Sequence, residues 1–88
     1  MLFVTLWRFR KKPTKEMLAE SRRLFEQLAR EGGKVLSNHW TLGRYDGVTI
    51  VEGPDEKTAI KSLLGFADLV STETLVALTA EEASKLVE

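Results

Sequence analysis

The apolar positions along the chain follow two rhythms. Residues 2–9, Leu-Phe-Val-Thr-Leu-Trp-Arg-Phe, are rich in β-formers and run into a basic loop, Arg10-Lys11-Lys12, closed by Pro13, which predicts a first strand. From Thr14, a suitable helix cap, to Glu31 the period lengthens. Met17, Ser21, Leu24 and Leu28 make a stripe at i, i+4, i+7 and i+11, widened by Leu18, Phe25 and Ala29. Glu20–Arg23 and Glu26–Arg30 have the spacing of ion pairs on the wet face, and Gly32-Gly33 ends the helix. Strand character returns over residues 34–42 and again over 46–52, with Gly43-Arg44-Tyr45 as the short connection of a hairpin. Asp55 caps a second helix over 57–66, whose apolar stripe is Ala59, Ile60, Leu63 and Leu64. A fourth strand spans 69–78, and Thr79 with Glu82 forms a capping box for a short terminal helix.

The resulting order, β-α-β-β-α-β with a tail helix, predicts an α+β fold of the ferredoxin-like kind. Both helices cover one face of a four-stranded antiparallel sheet, and the first and third strands lie in its centre. A sheet with one wet face alternates apolar and polar residues along its central strands. The first strand does not alternate: Leu2, Val4 and Leu6 point one way, and Phe3, Thr5, Trp7 and Phe9 the other. Two helices cover only one of these sides, and a bare apolar patch of this kind is rare on a monomer. The aromatic side is read as the uncovered one. Phe3, Thr5, Trp7 and Phe9 are therefore expected at a sheet-on-sheet interface in a homodimer, or in a higher oligomer built on it, forming a dimeric α/β-barrel.

Composition narrows the chemistry. Length allows one domain, residues 1–88. Residues of the AVILMFWYC set make up 43% and charged residues 30%, which is too apolar for a disordered chain and too charged for a membrane protein. Thirteen basic residues balance thirteen acidic ones, so no net field attracts nucleic acid or anionic lipid. The cluster Arg8, Arg10, Lys11 and Lys12 around Phe9 reads as a solvated strand end, and neither a nucleic-acid nor a membrane partner is expected. The absence of Cys removes disulfide and thiolate chemistry, and one His cannot build a His/Cys zinc site within one chain. No metal and no cofactor is expected. Nothing at the amino terminus has the form of a secretory signal, so the expected compartment is the cytoplasm.

The segment Trp40-Thr41-Leu42-Gly43-Arg44-Tyr45-Asp46 resembles the GYD domain family, small stand-alone proteins named for a Gly, Tyr, Asp signature carried here by Gly43, Tyr45 and Asp46. Gly32-Gly33-Lys34-Val35, Val51-Glu52-Gly53-Pro54-Asp55 and Thr72-Glu73-Thr74 extend the resemblance over nearly the whole chain. It implies a dimeric α/β-barrel with a ferredoxin-like fold and no family-wide biochemical activity. Gly47 departs from the bulkier residue usual in the family, which predicts a looser start to the third strand.

Gly43 suits a turn position with positive φ, and Asp46 suits hydrogen bonds to the turn's own amides. Tyr45 has a ring to cover the barrel end and a hydroxyl to bond. His39 and Trp40 are neighbours on a strand and must face opposite ways; the pattern of Leu36, Trp40 and Leu42 puts His39 with Val35, Ser37 and Thr41. Glu73 is either an exposed edge-strand charge or a carboxylate inside the dimer. The reading these residues support is a small-molecule-binding or interaction module without its own catalysis, its ligand held by Tyr45, Asp46, His39 and Glu73. The alternative is a cofactor-independent oxidoreductase resembling the monooxygenases of the dimeric α/β-barrel fold, with Asn38, His39, Trp40 and Tyr45 as the reactive set. A third possibility, a structural dimer with a filled interior, is distinguished from both by the absence of a cavity.

Overall fold

Three short polar side chains fix where the helices begin. In the computed structural model, which describes residues 1–87, the elements are β1 (Leu2–Phe9), α1 (Lys15–Arg30), β2 (Lys34–Trp40), β3 (Gly47–Glu52), α2 (Glu56–Phe66), β4 (Val70–Ala77), α3 (Ala80–Ser84) and a closing 3-10 turn, Lys85–Val87. Thr14 Oγ1 accepts from the Met17 amide at 3.2 Å, Asp55 Oδ1 from that of Thr58 at 2.8 Å, and Thr79 Oγ1 from that of Glu82 at 3.1 Å. Each cap satisfies a first-turn amide that has no partner within its helix. Gly32, at φ 92°, ends the turn that follows α1. The Glu20–Arg23 ion pair forms as its spacing predicts, and Glu31 pairs across the helices with Lys61 at 2.6 Å.

The sheet runs β2-β3-β1-β4 with every neighbour antiparallel, so β1 and β3 are central as expected for the ferredoxin-like fold. Register decides the faces, because residues directly opposite in an antiparallel pair share a side. Thr5 lies between Thr49 and Thr74, Phe3 between Val51 and Val76, and Trp7 between Gly47 and Thr72. These residues look toward α1 and α2, and Phe3, Thr5 and Trp7 are buried there. The expected assignment of the two faces is thus reversed. Phe3, Thr5, Trp7 and Phe9 lie under the helices, not at a sheet-on-sheet interface, where burying the larger aromatic side chains removes the most apolar surface from water. The uncovered face carries Leu2, Val4 and Leu6 of β1 with Val48 and Ile50 of β3 and Leu75 of β4.

Two other expectations change with the backbone. Strand β2 ends at Trp40, and Leu42 is fully exposed in the turn. An irregularity between Val35 and Ser37 puts Val35 opposite Val51 but Ser37 opposite Ile50, so a one-residue bulge at Leu36 switches the alternation. Val35 therefore shares the helical side with Asn38 and Trp40, while Ser37 and His39 turn to the uncovered face. As an edge strand β2 is also largely exposed, Trp40 included, in place of the better-buried side read from its pattern. On α2, Ala59 and Leu63 face the sheet, but Ile60 and Leu64 are exposed.

Gly47 is buried, and a Cβ built on it would collide with the six-membered ring of Trp7. The start of β3 is therefore tight, not loose: the indole occupies the volume a side chain would take. Gly47 has no positive φ, so the requirement is for space and not for backbone freedom. No helix among the described residues is long and apolar enough to cross a membrane.

Candidate functional site

Between the sheet and the two helices the packing leaves a cavity of about 280 Å³. Aromatic groups line both of its walls. Trp7, Phe9 and Trp40 pack edge to face, with ring centroids 5.1 Å apart for Trp7–Phe9, 5.0 Å for Phe9–Trp40 and 6.4 Å for Trp7–Trp40. On the helical side Phe25 of α1 meets Phe66 of α2 at 4.9 Å. Both aromatic groups line the same space, with Met17, Leu18 and Leu63 beside them. Trp40 and Leu18 are exposed as well as lining, so the cavity reaches solvent past them.

A polar line crosses its floor. Trp7 Nε1 donates to Thr49 Oγ1 at 2.9 Å, and Thr49 Oγ1 donates on to Asn38 Oδ1 at 2.7 Å. The direction is fixed by chemistry, because the indole N–H only donates and the Asn38 carbonyl oxygen only accepts, so Thr49 receives one bond and gives the other. Asn38 consequently keeps its amide N–H groups for another acceptor. A second pair, Thr5 and Thr74, joins its hydroxyls at 2.9 Å on the same floor. These groups converge on an otherwise apolar space, the usual constitution of a small-molecule site. Among the lining residues only Arg22, on α1, is charged.

The four residues expected to hold a ligand, Tyr45, Asp46, His39 and Glu73, do not line this cavity. Tyr45 lies across the uncovered face and donates its hydroxyl to Glu73 Oε2 at 2.5 Å. Its ring is held by two guanidinium groups, Arg8 and Arg44, each 5.5 Å from the centroid, and Arg8 Nε donates to the Arg44 carbonyl at 2.6 Å. The bond to the Glu73 carboxylate holds the Tyr45 phenol above its ordinary pKa, against a smaller opposing pull from Arg44. Glu73 itself is exposed on β4, an edge strand. His39, opposite Val48, is exposed on the uncovered face.

Asp46 bonds the first strand instead of its own turn. Its Oδ2 accepts from the Phe9 amide at 2.8 Å, and its own amide donates to the Trp7 carbonyl at 2.8 Å. The side chain thereby extends the β1–β3 ladder beyond the residue at which β3 begins. Thr41 closes the turn from the other side, its amide donating to the Asp46 carbonyl and its hydroxyl to that of Tyr45, both at 2.8 Å. Gly43, at φ 106° with open space around it, makes the reversal.

Of the set expected for the oxidoreductase alternative, Asn38 and Trp40 face the cavity while His39 and Tyr45 face away. Thr49 and Arg22 were not singled out from the sequence. Thr49 had a signal, since Thr5, Thr49 and Thr74 interrupt three strands at positions that pair, but the signal needs the register to be seen.

Comparison with known proteins gives a consistent picture. The model of the GYD domain matches residues 3–87. No curated protein matches the sequence. A crystal structure of a dimeric ferredoxin-like protein of unknown function from Thermobifida fusca is similar in fold, with a TM-score of 0.50 and 12% identity over 86% of this chain and 89% of that one.

Proposed function

The chain belongs to the GYD domain family, and from that premise we propose that it is a homodimeric module that binds a small, largely apolar molecule between its sheet and its helices. The observation that carries this reading is the cavity of about 280 Å³, with aromatic walls and the Trp7–Thr49–Asn38 line on its floor. That volume lies near the low end of the roughly 300–1,000 Å³ typical of ligand pockets. It suits a single ring system or a short acyl chain and is too small for a nucleotide. Apolar surface removed from water there contributes about 25 cal/mol per Å², so even a small guest gains several kcal/mol. A filled interior, the mark of a purely structural dimer, is not what this layer has.

The dimer is proposed through the uncovered face. Leu2, Val4, Leu6, Val48, Ile50 and Leu75 form an apolar sheet surface, bordered by the Tyr45–Glu73 pair, on the side of the sheet away from α1 and α2. A second copy placed sheet on sheet buries it, as an aligned packing of two twisted sheets allows. The Thermobifida protein of similar fold is dimeric, which is in keeping with this arrangement. In it the Tyr45–Glu73 pair and His39 border the seam between subunits and are not ligand contacts.

Two measurements test the reading. Native mass spectrometry reports the dimer and any guest carried through purification. Ser62→Phe, a substitution on the helical wall, fills the space and abolishes quenching of the two indoles by an apolar probe such as naphthalene. Equal quenching in both forms would refute the cavity as the binding site.

A further inference from the structure

We infer that the cavity's ligand is an amphipathic monoanion, an apolar ring or short chain ending in a carboxylate, with Arg22 as the group that selects its charge. This deepens the binding reading above and rests on it. Arg22 is the one charged residue among those lining the cavity. Its neighbours in charge are already engaged: Arg23 pairs with Glu20, and Lys61 with Glu31. Arg22 has no ion pair among the described residues. No acidic side chain lines the space, so nothing in the wall compensates the guanidinium or repels an anion.

The neutral polar groups point the same way. The hydrogen-bond line ends at Asn38, which accepts from Thr49 through Oδ1 and presents its two amide N–H donors beyond that bond. Donors and one cation suit a ligand head that only accepts. A carboxylate fits this in charge and geometry, because a guanidinium offers parallel N–H groups to its two oxygens. A cation would face Arg22 unpaired, and a neutral amide or alcohol would forgo the charge-assisted bond. The aromatic cluster of Trp7, Phe9 and Trp40 takes the apolar body.

The chain supplies its own reporter, since its two tryptophans both line the cavity. Indole fluorescence of the intact protein is titrated with phenylbutanoate, phenylbutanamide and phenylbutylammonium, which share a tail and differ in the head. The expected result is tightest binding of the carboxylate, with Arg22→Gln weakening it about tenfold, the scale of one charge-assisted hydrogen bond, and leaving the amide unchanged. Arg22→Lys retains most of the preference for the anion. If all three heads bind alike and Arg22→Gln changes none of them, the charge selection is overturned while the cavity stands as a binding site. If none binds, the binding reading falls and this inference with it. Arg22 is exposed on a helix, so its replacement does not threaten folding, and unchanged urea unfolding of Arg22→Gln verifies this.

Discussion

Replacing Gly47 by Ala adds one methyl group where the Trp7 indole already sits. Trp7 borders the cavity, so its ring can yield only by leaving the position that its bond to Thr49 holds. Trp7 is 8% exposed and anchored through Nε1 to Thr49, and Gly47 is held by pairing on both sides, opposite Trp7 in β1 and Trp40 in β2. Overpacking a close-packed site costs about 1–3 kcal/mol. If the indole swings out, its N–H loses Thr49, and a buried donor without a partner costs about 1–3 kcal/mol more. Partial relaxation makes the sum roughly 2–4 kcal/mol, a large share of the roughly 5–15 kcal/mol that hold a typical domain. For a chain of this length that lowers the melting temperature by roughly 10–25 °C. Urea unfolding followed by indole fluorescence measures it. The cycle with Trp7→Leu isolates the cause, because a shorter side chain makes room and the Ala substitution then costs little. A Gly47→Ala protein within about 0.5 kcal/mol of the parent, with unchanged tryptophan emission, would show that the ring does not occupy this volume.

Three further outcomes are expected. Val4→Asp, between Ile50 and Leu75 on the uncovered face, turns the proposed dimer into a folded monomer by light scattering, whereas Trp7→Asp unfolds the chain; a Val4→Asp dimer of unchanged mass would contradict the proposed seam. Asp46→Ala leaves the Phe9 amide without its acceptor and costs about 1–2 kcal/mol in urea unfolding, while Asp46→Asn, which keeps an oxygen there, costs less. The chain has a single tyrosine, so tyrosinate absorbance reads Tyr45 alone: it ionises above the ordinary value near 10, and Glu73→Gln brings it down. Because the folded pKa is raised, its stabilising effect is whole below the unfolded value and is lost as pH climbs through the folded one, on the alkaline side only.

The element order was legible because caps and punctuation are local. Thr14, Asp55, Thr79 and the glycines act through bonds within a few residues, and the helices start and stop where they direct. Which face of β1 meets the helices was not legible, since both carry apolar residues and parity alone does not rank them. The face that buries more aromatic surface under α1 and α2 wins, and that depends on how the helices dock. The fate of Asp46 was hidden for a related reason. An Asp after a turn commonly bonds its own loop, and only the antiparallel approach of β1 brings the Phe9 amide within reach. Tyr45 and Glu73 are 28 residues apart and meet only because β3 and β1 place the hairpin over β4. Asn38 was in view as a residue type, and its partner Thr49 became visible only through the pairing of β2 with β3.

The extra residue at Leu36 has an effect out of proportion to its size. If β2 paired without interruption from Val35 onward, Leu36 would stand opposite Ile50, and every later residue would change sides. An imidazole would then look into the chamber, and the indole and carboxamide that now furnish it would lie on the outer surface. One kink in a peripheral ribbon therefore acts as a selector between two chemically different rooms written in the same letters. An insertion or deletion in this stretch would redecorate the interior while leaving every side chain's identity intact.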